Sequence, residues 1–510
     1  MFDKIRPLVF WPSFLILMAA VVMSFIDLES FLRVTKSLND TVLDRFSWFF
    51  SIGSFYLLML IVVVYFSPLG KVTIGGKGAI PLFSKIRWFS ITLCTTLAVG
   101  VLFWTTAEPI YHLNSPPSSW GLVPGSVEAA KFSLSAMNLH WSFTPYAIYA
   151  VPSLVFALAF YNSKLPFSIG SSLQPVFGNA VLGKNGQIID TIALYALVAG
   201  MASSLGTGAI TLVGGVGEFM DIKTTPFTIG VAVFLIVTTF VLSAASGLHK
   251  GIARLSSINA YLLLVLGLFV FAFGPTIFIL SFGTQGIGTY LGNFFELSLF
   301  TGAVSGDKWP QLWSVFNWAV WFAWAPIAAL FLGKIGRGYT VREYIQINLI
   351  YPSLFAIVWV AIFSGTAIHI DMTQAGLLNS TLNAQGPEKL LYFVFNQLPL
   401  SQIMTAVLIF VAFISYVTAA DSNTDAIGNL CTTGFDANSE EKAGLGVKVL
   451  WGSIIGIVSW TMVSFVGIDG IKMLSNLGGL PAAVIILATS MTLVKWLKNP
   501  ALLDNEGDPQ

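Results

Sequence analysis

The sequence predicts an all-α integral membrane protein with twelve transmembrane helices, and three observations carry that prediction. The 510 residues are 55% hydrophobic and only 10% charged, whereas a soluble domain carries about 25% charge; mean hydropathy is +0.80. Runs of about 20 apolar residues, one bilayer crossing each, fall near 8–27, 48–67, 89–110, 140–161, 188–212, 226–245, 258–281, 313–332, 346–367, 401–420, 447–466 and 475–495. Each run, as a helix, satisfies its own backbone hydrogen bonds, which a lipid-exposed loop does not.

The first run follows Lys4 and Arg6 and is too long for the apolar core of a signal peptide, so it reads as a retained first span. With the N-terminus inside, seventeen of the 25 lysines and arginines lie on cytoplasmic segments, Lys85, Arg87, Lys334, Arg337 and Arg342 among them, against eight outside. Both termini are therefore expected to be cytoplasmic. Two connections, 111–139 and 282–312, are long enough to carry structure of their own; the second, with TYLGNFFELSLF, has an amphipathic pattern suited to the outer membrane surface. No soluble domain is expected, and the tail LKNPALLDNEGDPQ is short and slightly acidic.

Net charge is +1 and no basic arm is present, so nucleic acid is not an expected partner. The two cysteines, Cys94 and Cys431, form no CxxC or Cys/His pattern, which argues against a disulfide framework or zinc site. Enzyme chemistry is poorly supplied: the four histidines, His112, His140, His249 and His369, make no HxxxH motif, and there is no GxSxG or Walker A loop. The glycine-rich stretch LGTGAITLVGGVG (205–217) fits close helix packing or a broken helix better than a phosphate cradle. Intramembrane acids are functional candidates by default. Glu108, before Pro109, and Asp421 both lie near predicted span ends, where structural hydrogen bonding explains them equally well.

Fifteen tryptophans include many that suit the interfacial belt. Two clusters sit deeper. In WSVFNWAVWFAWAP (313–326), Trp318, Trp321 and Trp324 recur every three residues and form a stripe. In HWSFTPYAIYAVP (140–152), Trp141, Tyr146 and Tyr149 fall within an arc of about 140° on one continuous helix. Facing stripes of this kind suit a methylated ammonium, a diffuse cation attracted to ring faces at roughly 2 kcal/mol per desolvated contact, without burying a carboxylate. Plain aromatic packing between helices fits the same spacing.

Several segments together resemble the betaine/carnitine/choline transporter family: FWTTAEPIYH (103–112), HWSFTPYAIYAVP (140–152), ASSLGTGA (202–209), GLHKGIARLSSIN (247–259), WFAWAPIAALFLGKIGRGYTVREY (321–344) and VTAADS (417–422). The resemblance implies an amino-acid symporter-like fold of two inverted five-helix repeats. Two peripheral helices would occupy 1–88, the repeats 89–281 and 313–495, a connecting extracytoplasmic amphipathic helix 282–312, and a cytoplasmic tail 496–510. It also implies a homotrimer in the plasma (inner) membrane, in contact with lipid, and substrate near the midplane under alternating access.

Position by position, the resemblance places an aromatic cage at Trp141, Tyr146, Tyr149 and Trp321, with Trp324 one turn below and Trp318 adjacent. It places a sodium site at Cys94 and Leu97 with Ser415, Thr418 and Ala419. Departures from the family pattern bear on the ligand. Tyr146 stands where many betaine carriers have tryptophan, Val320 replaces a ring beside Trp321, and TTLAVG (95–100) keeps only Gly100 of a usual glycine run. Ala419 replaces a usual serine, while Asn259 and Ala260 occupy the region where sodium-independent exchangers carry arginine. The short tail lacks a basic osmosensing extension. The expected function is secondary active import of a small methylated amine, trimethylamine first, by sodium symport and without other cofactors. Glycine betaine or choline uptake and sodium-independent exchange are the alternatives. A channel would need a continuous polar pore.

Overall fold

A computed structural model describes residues 5–96, 98–220, 222–245, 249–432 and 445–503. The chain is all-helical, and β structure among the described residues is limited to two isolated bridges, Ile5 with Thr432 and Thr73 with Thr340. The long helices are α1 (Pro7–Ile26), α2 (Leu28–Phe66), α3 (Lys85–Thr96), α4 (Ala98–Asn114), α5 (Val127–Trp141), α6 (Phe143–Tyr161), α7 (Gly183–Met220), α8 (Pro226–Ala245), α9 (His249–Phe273) and α10 (Thr276–Gly292), followed by α11 (Phe316–Ile335), α12 (Tyr351–Thr373), α13 (Ser401–Cys431), α14 (Leu445–Val466) and α15 (Ile468–Lys498).

Among the described residues, ten helices are long and apolar enough to cross a membrane, or eleven if α9 and α10 count as one bent span. The chain is a multi-pass membrane protein, although the count is not the expected twelve. The missing run, 89–110, is divided between α3 and α4 at residue 97, which lies outside the described residues. Large apolar side chains such as Phe25, Ile26 and Phe234 stand exposed on α1 and α8, as expected where the solvent is hydrocarbon and lipid covers what water would not.

Three departures from the hydropathy reading involve an unexpected or broken helix. The connection 111–139 is mostly helix: α5 begins at Val127, capped by the Ser126 hydroxyl on the Ala129 amide. Hydropathy passes over it because it carries Glu128, Lys131, Ser133, Ser135, Asn138 and His140, some of them bonded within the protein, as when Ser133 Oγ donates to the Pro109 carbonyl at 2.8 Å. The run 140–161 is not one helix but breaks at Ser142 (φ −113°, ψ −120°), so Trp141 ends one helix while Tyr146 and Tyr149 lie on the next. Pro145 offers no N–H to the Trp141 carbonyl four residues back, which favours the break there. The run 258–281 breaks at Gly274–Pro275, where α10 leaves α9 at 107°, again because proline cannot continue the ladder.

At the centre, α11 packs against α6, α7 and α15. Glycine permits the closest approach: a Cβ on Gly479 of α15 would come 2.5 Å from the Ala319 carbonyl oxygen of α11, and one on Gly478 would come 2.9 Å from the Ala196 carbonyl of α7. The GRGYTVRE loop after α11 is equally determined. Gly338 takes φ +84° with Pro81 packed against it, Thr340 and Glu343 close a reciprocal capping box, and Glu343 pairs with Lys85 at 2.7 Å. The N-terminal end is fastened by Arg6, whose guanidinium meets Asp190 at 2.6 Å and the Leu430 carbonyl at 3.0 Å.

Candidate functional site

The break at Ser142 turns Trp141 and the first turns of α6 toward α11. Trp321 is the hub: its ring centroid lies 4.7 Å from Tyr149, 5.3 Å from Tyr146 and 6.3 Å from Trp141. Beside this cluster is a cavity of about 90 Å³. Trp141, Tyr149, Trp321 and Trp324 line it, with Trp104 and Phe316 adding two further rings. Among the described residues, no charged side chain lines it.

Of the six rings expected at a cage, four reach the cavity. Tyr146 is fully buried behind Trp321 and backs that ring rather than lining the space. Trp318 is also fully buried and faces away, edge-on to His140 at 5.7 Å. Residues spaced by three precess around a helix, so Trp318 and Trp324 differ by about 120° in direction. One cavity takes Trp321 and Trp324 and leaves Trp318 to the other side.

The remaining walls were not anticipated. Thr95, Thr96 and Gly100 come from α3 and α4, Ser203, Ser204 and Thr207 from α7, and Asn317 from α11. The run ASSLGTGA was legible as close-packing helix, but its hydroxyls were not assigned to a site. Ser203 Oγ also meets Ser475 Oγ of α15 at 2.7 Å, so α7 carries a polar edge between the cavity and α15. Val320 lines the cavity where a ring was expected by analogy.

Directly behind Trp141 is a buried polar cluster. The Trp141 indole N–H donates to Glu108 Oε2 at 2.9 Å. Glu108 Oε1 meets His140 Nδ1 at 2.6 Å and His112 Nε2 at 3.1 Å, with the Asn317 amide further off at 3.4 Å. His140 Nε2 meets Ser314 Oγ at 2.9 Å. The indole N–H and the Asn317 amide nitrogen can only donate, so the carboxyl must accept from them. The network assigns the tautomers in which both histidines also donate to it, leaving His112 Nδ1 without a partner. The donor atoms of Glu108, His112 and His140 lie within 4.8 Å of one another, close enough for a metal ion; here the two nitrogens and the carboxyl are spent on each other. The sequence held one signal for this cluster, a glutamate and histidine four residues apart on one helix face. The partner on α5, His140, comes from 32 residues away.

Glu108 sits before Pro109, which leaves the Thr105 carbonyl without its helical donor. The Ser364 hydroxyl of α12 takes that carbonyl at 2.7 Å, so the proline bend and its repair fix the carboxylate's height. On the flank, Lys472 Nζ lies 4.0 Å from the Trp313 ring centroid and 5.4 Å from that of Phe316. A protein ammonium already rests on aromatic faces beside the cavity.

At the expected ion site, Ser415 Oγ accepts from the Asn259 amide at 2.7 Å. Thr418 Oγ1 donates to the Ile414 and Ser415 carbonyls at 2.8 and 3.1 Å, and Ala419 lines the aromatic cavity. Leu97 and the side chains of Cys94 and Asp421 lie outside the described residues.

Comparison with known proteins gives these residues a setting. The sequence pattern described as BCCT, betaine/carnitine/choline family transporter, matches residues 8–502. A probable glycine betaine transporter of Desulfitobacterium hafniense is 29% identical over 500 residues, 98% of each chain. The glycine betaine transporter of Bacillus subtilis is 31% identical, covering 96% of this chain and 94% of its own. A high-affinity choline transport protein of Escherichia coli is 29% identical over 97% of this chain and 72% of its own. Among solved structures, a sodium-coupled sialic acid symporter aligns over 90% of this chain at 13% identity with a TM-score of 0.43, too distant to carry fold detail or function. The family match runs through α1 to α15 and includes both walls of the cavity: the chain belongs to the betaine/carnitine/choline family of transporters, and it is a transporter rather than an enzyme.

Proposed function

We propose that this secondary transporter of the betaine/choline type imports a small methylated ammonium compound, held by the faces of Trp141, Tyr149, Trp321 and Trp324, with trimethylammonium as first substrate. The observation that supports this reading is a small cavity whose described lining is aromatic rings and hydroxyls with no charged side chain. Ring faces attract a diffuse cation, and a ligand without a carboxylate asks for no cationic partner in the walls. Glycine betaine or choline uptake is the second reading. The curated relatives bear those names, and the hydroxyls of Ser203 and Ser204 stand on the cavity wall where a carboxylate or hydroxyl could meet them.

Sodium symport is part of the proposal. Thr418 supplies a hydroxyl, Ser415 and neighbouring carbonyls supply oxygen, and a hard cation takes oxygen ligands from carbonyls, hydroxyls and water; Cys94, Leu97 and Ala419 complete the expected positions. Asn259 holds Ser415 from the helix region where an arginine would stand in for the ion. A homotrimer in the plasma membrane with cytoplasmic termini, built on two inverted repeats, completes the reading.

The test is uptake into proteoliposomes of labelled trimethylamine, glycine betaine and choline, with and without an inward sodium gradient and with leak controls. Saturable, sodium-driven trimethylamine uptake exceeding betaine and choline is expected. Betaine or choline transport in its place would make Tyr146 and Val320 neutral variations. Thr418→Ala should raise the sodium concentration for half-maximal uptake about threefold to tenfold; an unchanged sodium curve removes Thr418 from the ion site.

A further inference from the structure

We propose that Glu108 is the specificity-determining residue that sets the cavity's preference for a cation over a neutral molecule of the same shape, acting through the indole of Trp141. The inference rests on the aromatic-box reading above and assigns the box its charge.

Four observations support it. Trp141 contributes one wall of the cavity and simultaneously donates its indole N–H to Glu108 Oε2 at 2.9 Å. Glu108 does not line the cavity and is essentially unexposed, at 1%, so it acts on the ligand without competing for space or demanding a hydrogen bond from it. The carboxylate accepts from Trp141 and, further off, from Asn317, the two cavity residues nearest the cluster. The described residues that line the cavity carry no charged side chain, and the nearby ammonium of Lys472 rests on the Trp313 and Phe316 rings rather than on Trp141.

The physical consequence follows from the ring's quadrupole. An indole whose N–H is held by a carboxylate is polarised toward its π face, which deepens the negative potential presented to the cavity. The carboxylate's own field reaches across the ring through a low-dielectric interior. A neutral guest gains neither effect. Glu108 also fixes the indole's rotation, because Oε2 is held from the other side by the His140 and His112 contacts on its sister oxygen. The cluster therefore positions the ring and supplies the sign of charge it favours.

The test compares a cation with its neutral carbon isostere: choline and 3,3-dimethylbutan-1-ol, titrated into the purified full-length protein in detergent. Glu108→Gln keeps a side-chain acceptor for the indole and nearly the same shape while removing the charge. We expect the choline-to-isostere affinity ratio to fall at least about fivefold in Glu108→Gln, with binding of the neutral isostere unchanged. In a Trp141→Phe background, which severs the N–H link, Glu108→Gln should change the ratio by less than half as much. An unchanged ratio in Glu108→Gln, an equal loss for both ligands, an undiminished effect in Trp141→Phe, or a wild-type protein that does not prefer choline would each overturn the proposal. Trp321→Ala separates the two readings, since that ring touches the cavity but not Glu108. Weakened choline binding there with an unaltered ratio in Glu108→Gln refutes only the role of Glu108. Unweakened binding refutes the box itself.

Discussion

Trp141 divides two regions built on opposite plans. On one side is a cavity whose described walls are rings and hydroxyls with no charged side chain. On the other is a buried cluster of one carboxylate and two imidazoles, bonded to one another and outward to Trp141 and Ser314. A charge facing the cavity directly would pay desolvation in the membrane and would bind one partner geometry too tightly to release it. Placing it one ring away keeps the field and removes the bond.

The comparison breaks most visibly if the carboxylate is deleted. Glu108→Ala strips the acceptor from Trp141, His112 and His140 together, and should destabilise the protein by about 3–5 kcal/mol, read as a lower melting temperature in detergent. A melting temperature equal to wild type would mean that the cluster is not held by its carboxylate. On the cavity side, Trp321→Ala removes the ring that touches Tyr146 and Tyr149. The expected cost is about 2 kcal/mol, roughly thirtyfold in the apparent affinity for the transported amine, with little change in the polar cluster.

Gly479→Ala tests the spacing that both regions share. A methyl there meets the backbone of Ala319, between Trp318 and Trp321, and overpacking of this kind costs about 1–3 kcal/mol. Uptake and melting temperature should fall together, whereas the ring substitution affects mainly uptake. The smallest effect is expected for Trp318→Phe. Its indole nitrogen has no partner and it does not reach the cavity, so substrate affinity should shift by less than about twofold. A large shift would return Trp318 to the binding wall.

These regions were not equally legible in the sequence. Trp141, Trp321 and Trp324 stand out because aromatic rings inside apolar runs are conspicuous, and three of the expected wall positions follow from that alone. Tyr146 and Trp318 belong to the same patterns yet sit behind the wall, because spacing fixes a direction around one helix and leaves open which direction faces the ligand. The Ser142 break also voids the single-helix arc that linked Trp141 to Tyr149. Glu108 was visible as an intramembrane acid, a functional candidate that structural hydrogen bonding explained equally well. Its bond to Trp141 joins side chains 33 residues apart on helices separated by a connection whose second half looked like loop.

By itself, the sequence determined the helical membrane class, most of the spans and the aromatic character of the site, because hydrocarbon as solvent selects on composition and on self-satisfied backbone. The tertiary structure alone decided where helices break, which rings meet at Trp321 and which charge stands behind Trp141. Those choices depend on distances between side chains that are remote in the chain, set by Gly478 and Gly479 against neighbouring backbones and by prolines whose lost hydrogen bonds are made good from another helix.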